Sequence, residues 1–370
     1  MKKILHIVVP CPLRQSFDYL SLESETKWTA GIRVKVSFGS RELIGIVLHV
    51  SDIKHDQDIS KLKPIIEQID LSPILNEELF NLVKWVSAYY HHPIGDCFQA
   101  ALPKKLRQGE TSELIQEIIW KQTKAQPLKQ SLGKKQEQIY SLLNDHPHGL
   151  SQRQIKSELG ECKSSLLGLE NKHYIQQFTQ AKLAFSTLDF ELPCKLNDEQ
   201  LNVVNTVWES RDSFKPYLLQ GITGSGKTEV YIQLCEQMLA EGKQVLILIP
   251  EIGLTSQFVQ RFKQRIEANI VVLNSAVSDG DRKQAWLLAK EGLADIIIGT
   301  RSAVFTPLTS AGLIILDEEH DGSYKQTDGL RYHARNVALV RAKQLSIPIV
   351  LGSATPSLES LYHVQQARYE

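Results

Sequence analysis

The chain has 370 residues, 42% of them hydrophobic, enough for two or three domains with cores of their own. Lys+Arg and Asp+Glu both number 42, so the global charge is silent about nucleic acid and any basic surface must be local. No apolar segment reaches membrane-spanning length, and the five cysteines form no C-x-x-C pair or zinc spacing, so the expectation is reduced thiols in a soluble cytoplasmic protein with no zinc site in this chain.

At the N-terminus, Lys2-Lys3 followed by ILHIVV imitates a signal peptide, but Pro10, Pro12 and Arg14 end the apolar run too early. VKVSF and LIGIVLHV alternate apolar and polar residues, which predicts a small β-rich unit over 1–108, closed by a helix from Glu77 to Tyr90. Phe17 and Tyr19, two residues apart, read by themselves as a same-face pair on a strand. His91-His92 has no third ligand spaced beside it, so packing or capping is the better reading than a metal.

A polar stretch rich in lysine and glutamine, Lys121 to Lys135, reads as a linker. KQEQIYSLLNDH, SQRQIKSELG and CKSSLLGLENKHYI then predict three short helices, the second opened by Ser151 with Gln154 as an N-cap pair, and an extended QQF follows. That order is the pattern of a winged helix, a DNA-binding shape, though three short amphipathic helices also serve pure packing.

From Leu219 to Lys243 the order is apolar strand, G-x-x-x-x-G-K-T loop and amphipathic helix. Gly221, Gly224 and Gly226 permit a tight turn, so backbone amides around Thr223, Ser225, Gly226, Lys227 and Thr228 point at phosphate oxygens at a helix N-terminus. Lys227 is then placed on the β- and γ-phosphates of ATP, and the Thr228 hydroxyl on Mg²⁺. QVLILIPEIGLTSQ, ADIIIGTRSAVF, LIILDEEH and IPIVLGSATPS follow, each a short, non-alternating apolar core with a polar motif at its end. Such cores are buried on both faces of a parallel sheet, whose ligands bind along the carboxyl edge of the strands. Helical patterns at Gln257 to Ala268 and Asp281 to Glu291 supply the crossovers of an α/β lobe. Asp317 is the expected Mg²⁺ ligand and Glu318 the residue that orients or deprotonates the attacking water. With D-E-x-H, the Gly352-Ser353-Ala354-Thr355 motif points to superfamily 2 helicases and translocases.

GITGSGKTEVY, LIPEIGLTSQ, GTRSAVFTP, DEEHDGSYKQ, RYHARNVA and GSATPSLES, with FDYL, VSFGSRELIGIV and YYHHPIGDCFQAALPKKLRQG upstream, resemble the PriA family of primosomal DNA helicases over nearly the whole chain. The sequence departs from that pattern at Ser37, Asn274, Leu330 and Asn336. The resemblance implies a β-rich 3′-end DNA-binding domain over 1–108, a linker and winged-helix domain over 109–180, a linker over 181–195, and a RecA-like P-loop lobe with a mainly parallel sheet over 196–370. It also implies that Gln200 reads adenine and that Phe17, Asp18, Tyr19, Gly39 and Lys63 capture a free 3′ end. Arg301, Tyr324, Tyr332 and Arg335 are implied contacts to single-stranded DNA, the aromatics by stacking.

The implied activity is ATP-dependent 3′-to-5′ unwinding at stalled or branched forks, with Mg²⁺ as cofactor and single-stranded DNA-binding protein and primosome proteins as partners in a nucleoid-associated setting. A second lobe with its arginine, and zinc sites, are implied beyond Glu370, so this stretch is expected to bind nucleotide and turn it over poorly. Another superfamily 2 translocase would share the ATPase motifs without FDYL, and a non-catalytic DNA-end-binding module would keep FDYL without binding nucleotide.

Overall fold

A computed structural model describes residues 2–22, 27–54, 59–123, 131–147, 149–183, 194–222 and 224–370. The chain divides into two compact units: residues 1–113 with 183–370, and residues 114–182.

In the first unit, β1 (Lys3–Val8), β2 (Phe17–Leu20), β3 (Arg33–Phe38), β4 (Arg41–Asp52) and β5 (Glu67–Gln68) form an antiparallel sheet in the order β2-β1-β4-β3-β5. Leu5, Ile7, Val34, Val36 and Val47 share one core, as their alternation requires. Gly45 has to be glycine, since a Cβ there would lie 2.4 Å from the Ile7 side chain. Beneath this sheet Arg33, fully buried, makes two 2.7 Å contacts with Asp70 and donates to the Leu106 carbonyl at 2.5 Å. The helix Glu77–Tyr89 starts at Asn76, whose side chain accepts from the Leu79 amide at 3.0 Å, and it buries Leu79, Leu82, Val83 and Val86.

Residues 183–370 contribute β9 (Pro216–Gln220), β10 (Gln244–Leu248), β11 (Ile270–Leu273), β12 (Ile296–Gly299), β13 (Ala311–Leu316) and β14 (Ile349–Ser353), all parallel, in the order β11-β12-β10-β13-β14-β9. The edge strand β11 is an element that the sequence reading lacks. Helices Lys227–Ala240, Ser256–Arg265, Asp279–Lys290 and Ala334–Leu345 connect the strands. The N-terminal sheet and this lobe are packed into one unit. Arg341, fully buried, contacts Glu78 at 2.9 and 3.0 Å and donates to the Val304 carbonyl at 2.8 Å. Asn76 donates to the Leu308 carbonyl at 3.0 Å, and the Tyr90 hydroxyl accepts from the His333 amide at 3.2 Å.

In the second unit, β6 (Gln116–Gln122) is the centre of an antiparallel sheet in the order β7-β6-β8, with β7 (Leu150–Ser151) and β8 (Ile175–Ala181) at its edges. Lys121 and Gln122 are therefore strand residues and not linker. Helices Lys134–Asn144, Gln152–Leu159 and Lys163–Asn171 cover a core of Trp120, Ile139, Leu143, Ile155, Leu166 and Leu169. Ser151 caps the second helix, its hydroxyl accepting from the Gln154 amide at 3.3 Å while the Gln154 side chain accepts from the Ser151 amide at 2.8 Å.

Candidate ATPase and DNA-contact sites

The carboxyl ends of β9, β13 and β14 bring three motifs to one edge. Gly224 and Gly226 both have φ of +84°, the left-handed region that glycine enters without penalty. A Cβ at Gly226 would stand 2.4 Å from the Gln200 Nε2, so a side chain there would displace Gln200. Gln200 donates to the Ser225 carbonyl at 3.1 Å, so it braces the glycine loop from the preceding helix. Lys227, only 10% exposed in its side chain, donates to the Gly221 carbonyl at 2.7 Å and lies 3.7 Å from a Glu318 oxygen. Thr228 is half-buried in the first turn of the helix. Thr223 lies outside the described residues.

Asp317 follows β13 directly. Its Oδ1 accepts a hydrogen bond from the Tyr231 hydroxyl at 2.8 Å, and burial is the main cause raising its pKa above the ordinary carboxylate value. A cation would reverse that destabilisation. A buried carboxylate and the Thr228 hydroxyl are hard oxygen donors, a set that fits a divalent ion such as Mg²⁺. Glu318 has φ of +45°, rare for a side chain larger than glycine, and its Oε2 accepts from the Ala354 amide at 3.3 Å. His320 reaches Ser353 at 2.7 Å through Nδ1 and Thr355 at 3.2 Å through Nε2. The Asp-Glu-Glu-His box and the Gly-Ser-Ala-Thr motif are thus in direct contact. Gly352 is fixed by the same packing: a Cβ there would lie 1.7 Å from the Tyr231 hydroxyl.

Glu319 belongs to this network although its role is not legible from sequence. It is 1% exposed and accepts from the Ser357 amide at 2.6 Å, the Ser360 hydroxyl at 2.9 Å and Arg335 at 2.5 Å. Burial raises its pKa, but these bonds outweigh it and leave the carboxyl below its ordinary value. Tyr231 is another residue that sequence reasoning does not flag; the sole signal is its position four residues after Lys227, one helical turn deeper.

On the N-terminal sheet, Asp18 lies opposite His6, and the two side chains meet at 2.7 Å. Phe17 packs edge-on against Phe38, with ring centroids 4.8 Å apart, beside the β3–β4 turn where Gly39 has φ of +62°. Lys63 is exposed, and its carbonyl accepts from the Leu20 amide at 2.9 Å. Phe17 and Asp18 lie on the edge strand β2, Phe17 toward Phe38 and Asp18 toward His6, and Lys63 is held beside the end of the same strand through Leu20.

Residues 6–103 match the family of PriA 3′ DNA-binding domains, and residues 197–364 match the DEAD/DEAH box helicases. The replication restart protein PriA of Haemophilus influenzae is 38% identical over 100% of this chain, which covers 51% of that protein. The chain belongs to the PriA family. Replication restart proteins PriA of Chlamydia pneumoniae and Bacillus subtilis are 34% and 32% identical over 98% and 92% of this chain, covering 50% and 51% of those proteins. The chain spans about half the length of the curated relatives it matches. A DEAD/DEAH helicase domain works with ATP and Mg²⁺.

Several DNA contacts expected of a PriA-family chain are not available in this structure. Tyr19 is 5% exposed, and its hydroxyl donates inward to the Ser37 carbonyl at 2.9 Å, so it cannot stack on a terminal base. Tyr324 is fully buried beneath the nucleotide edge, its hydroxyl within 3.0 Å of the Leu248 carbonyl and 2.6 Å of the Asp317 carbonyl. Tyr332, 5% exposed, packs on Phe305 at a centroid distance of 5.1 Å. Arg301 donates to the Ser323 and Lys325 carbonyls at 2.9 and 3.0 Å, and Arg335 is committed to Glu319 and to Ser357 at 2.7 Å. Tyr324 is a buried strut under Asp317 and Tyr332 packs on Phe305, so neither ring is exposed for stacking. His92 meets Asp96 at 3.5 Å, and no group of candidate metal ligands exists among the described residues. Of the departures from the family pattern, Asn274 shapes its own loop, since its side chain accepts from the Ala276 and Val277 amides, each at 3.0 Å.

Proposed function

We propose that this chain supplies nucleotide binding and DNA-end capture to an ATP-dependent 3′-to-5′ DNA helicase that recognises stalled or branched replication forks and initiates primosome assembly. The observation that carries this reading is the joined network at the sheet edge. Lys227 stands 3.7 Å from Glu318, and His320 ties the acidic box to Ser353 and Thr355. Lys227 and the amides after Gly224 hold the β- and γ-phosphates, and Glu318 takes the proton of the attacking water. Mg²⁺, held by Thr228 and Asp317, supplies charge neutralisation at the phosphates. His320 is placed to report the state of that edge to Ser353 and Thr355, on the side where a DNA strand would run.

At the N-terminal rim, Phe17 stacks on a terminal base, Asp18 accepts from a free 3′-hydroxyl and Lys63 meets a phosphate. Three helices over a three-stranded sheet support a winged-helix role for residues 114–182 in binding DNA. Single-stranded DNA-binding protein and primosome proteins are the expected partners, in the cytoplasm at the nucleoid, and zinc belongs to parts of the whole protein outside this stretch. The reading is tested in the full-length protein by Lys227→Ala, which should weaken ATP binding several-fold or more while leaving 3′-end binding by the N-terminal rim intact. Equal loss of both would refute separate sites.

A further inference from the structure

A pocket of about 140 Å³ lies between the N-terminal region and the lobe, away from the nucleotide edge. Ligand pockets are typically roughly 300–1,000 Å³, so this one suits a single group and not a whole small molecule. Its polar lining consists of Gln99, Lys104, Arg107, Arg282, Ser302 and Thr306, with Trp286 beside them and no carboxylate among the lining residues. Every one of these side chains can donate a hydrogen bond, and three are cations.

The walls are pinned. Lys104 pairs with Asp279 at 3.0 Å, and Glu110 joins Lys105 at 3.3 Å to Lys283 at 2.9 Å, which fixes the short helix Lys104–Arg107 to the helix Asp279–Lys290. Arg282 is oriented by donating to the Asn274 carbonyl at 2.6 Å. The lining donors without a side-chain partner among the described residues include Arg107 and Trp286. Arg107 is exposed and has no ion pair, while the Trp286 indole, 3% exposed, keeps its Nε1–H buried with no acceptor. Arg107 and Arg282 line the same hollow, so their two positive charges face one space. Two like charges held together at a donor-lined hollow are stabilised by an anion.

Ser302, exposed, opens the pocket toward the segment at the carboxyl end of β12. We propose that the pocket seats one backbone phosphate of a single DNA strand as it passes Ser302, with Arg107 as the cation lent by the N-terminal region. This rests on the DNA-binding reading above. It adds a point at which the end-capturing region and the motor lobe grip the same strand.

The test uses the 370-residue chain and a fluorescent oligothymidine carrying a 3′-phosphate, so that capture of a 3′-hydroxyl does not contribute. Anisotropy is followed from about 50 to 200 mM salt. Arg107→Gln should weaken binding roughly tenfold at the low end and make the slope of log affinity against log salt shallower by about 0.7, the value of one phosphate contact on a single strand. Arg107→Lys should retain the slope. The melting temperature should not change, since Arg107 holds no side-chain hydrogen bond or ion pair among the described residues. An unaltered slope and affinity in Arg107→Gln overturns the pocket alone. Absence of binding by the unmutated chain overturns both the pocket and the DNA-binding reading.

Discussion

The nucleotide edge of the lobe and the rim of the N-terminal sheet differ in how much of their chemistry is already assembled. At the edge, Asp317, Glu318, Glu319 and His320 each hold a partner, and Gly352 leaves no room beside the buried Tyr231. At the rim, Lys63 is exposed, Phe17 leans on Phe38, and the Asp18 carboxylate pairs with His6 alone among the described residues. A site that must stabilise charge during phosphoryl transfer has to be preorganised, because reorganisation during the reaction would cost rate. A site that waits for a strand end can stay open and be completed by its ligand.

The sharpest probe of the preorganised side is Glu318→Gln in the full-length protein. The amide keeps the shape and the Ala354 contact but cannot act as a base, so DNA-stimulated ATP hydrolysis should fall by about 10²–10⁴-fold while ATP affinity stays within a few-fold. Turnover measured beside equilibrium nucleotide binding checks it; unchanged turnover would remove Glu318 from the chemistry.

A second probe asks whether rim and edge are parts of one rigid body. Arg341 is fully buried and bonded to Glu78, so Glu78→Ala leaves an uncompensated buried charge and should destabilise the 370-residue chain by about 3–5 kcal/mol. Urea unfolding reads this directly. A loss below about 1 kcal/mol, the scale of an exposed pair, would mean that the two regions are only loosely joined.

A third probe separates strut from stacking platform. Tyr324→Phe keeps the ring and removes the hydroxyl that reaches the Leu248 and Asp317 carbonyls, so it should cost about 1–3 kcal/mol of stability. Basal and DNA-stimulated ATPase should fall together, because the lesion sits under Asp317. If basal activity holds and only the DNA response drops, the residue contacts DNA after all.

The same contrast explains which features are legible in the sequence. The glycine loop and Asp317-Glu318 are legible because their chemistry requires particular residues at particular chain spacings next to a strand, and local geometry then delivers them. Tyr324 is not, since its inward path depends on the Leu248 carbonyl, 76 residues away in the chain. Glu319 likewise gains its partners from Ser357 and Ser360 only after β14 is in place. In the fold, strand β6 is hidden because it pairs with β8 across three intervening helices, and β11, four residues long, ends in no motif such as the Gly-Thr-Arg-Ser that marks the equally short β12. The spacing of Phe17 and Tyr19 alone marks Tyr19 as a packing partner, which is how the structure uses it, whereas the family resemblance points to a DNA contact.

The smallest expected effect tests the open side. On the proposed end-capture reading, with Tyr19 buried, discrimination of a strand end falls to Asp18, whose carboxylate can accept from a 3′-hydroxyl but meets a 3′-phosphate as a like charge. The 370-residue chain should therefore prefer the 3′-hydroxyl strand over its 3′-phosphate form by about 1–3 kcal/mol, roughly one charge-assisted bond. Asp18→Ala should flatten that preference, and His6→Ala, which frees the carboxylate from its 2.7 Å partner, should leave it in place. Lys63→Ala should weaken both strands alike and reduce the salt dependence of binding, because a phosphate contact is blind to the end group. Tyr19→Phe should change neither, since its hydroxyl serves only the Ser37 carbonyl. Anisotropy on the two strands at several salt concentrations measures all four variants. Equal affinity of the unmutated chain for both ends would mean that the rim does not read the hydroxyl at all, and the openness of Asp18 would then be only that of a solvated strand.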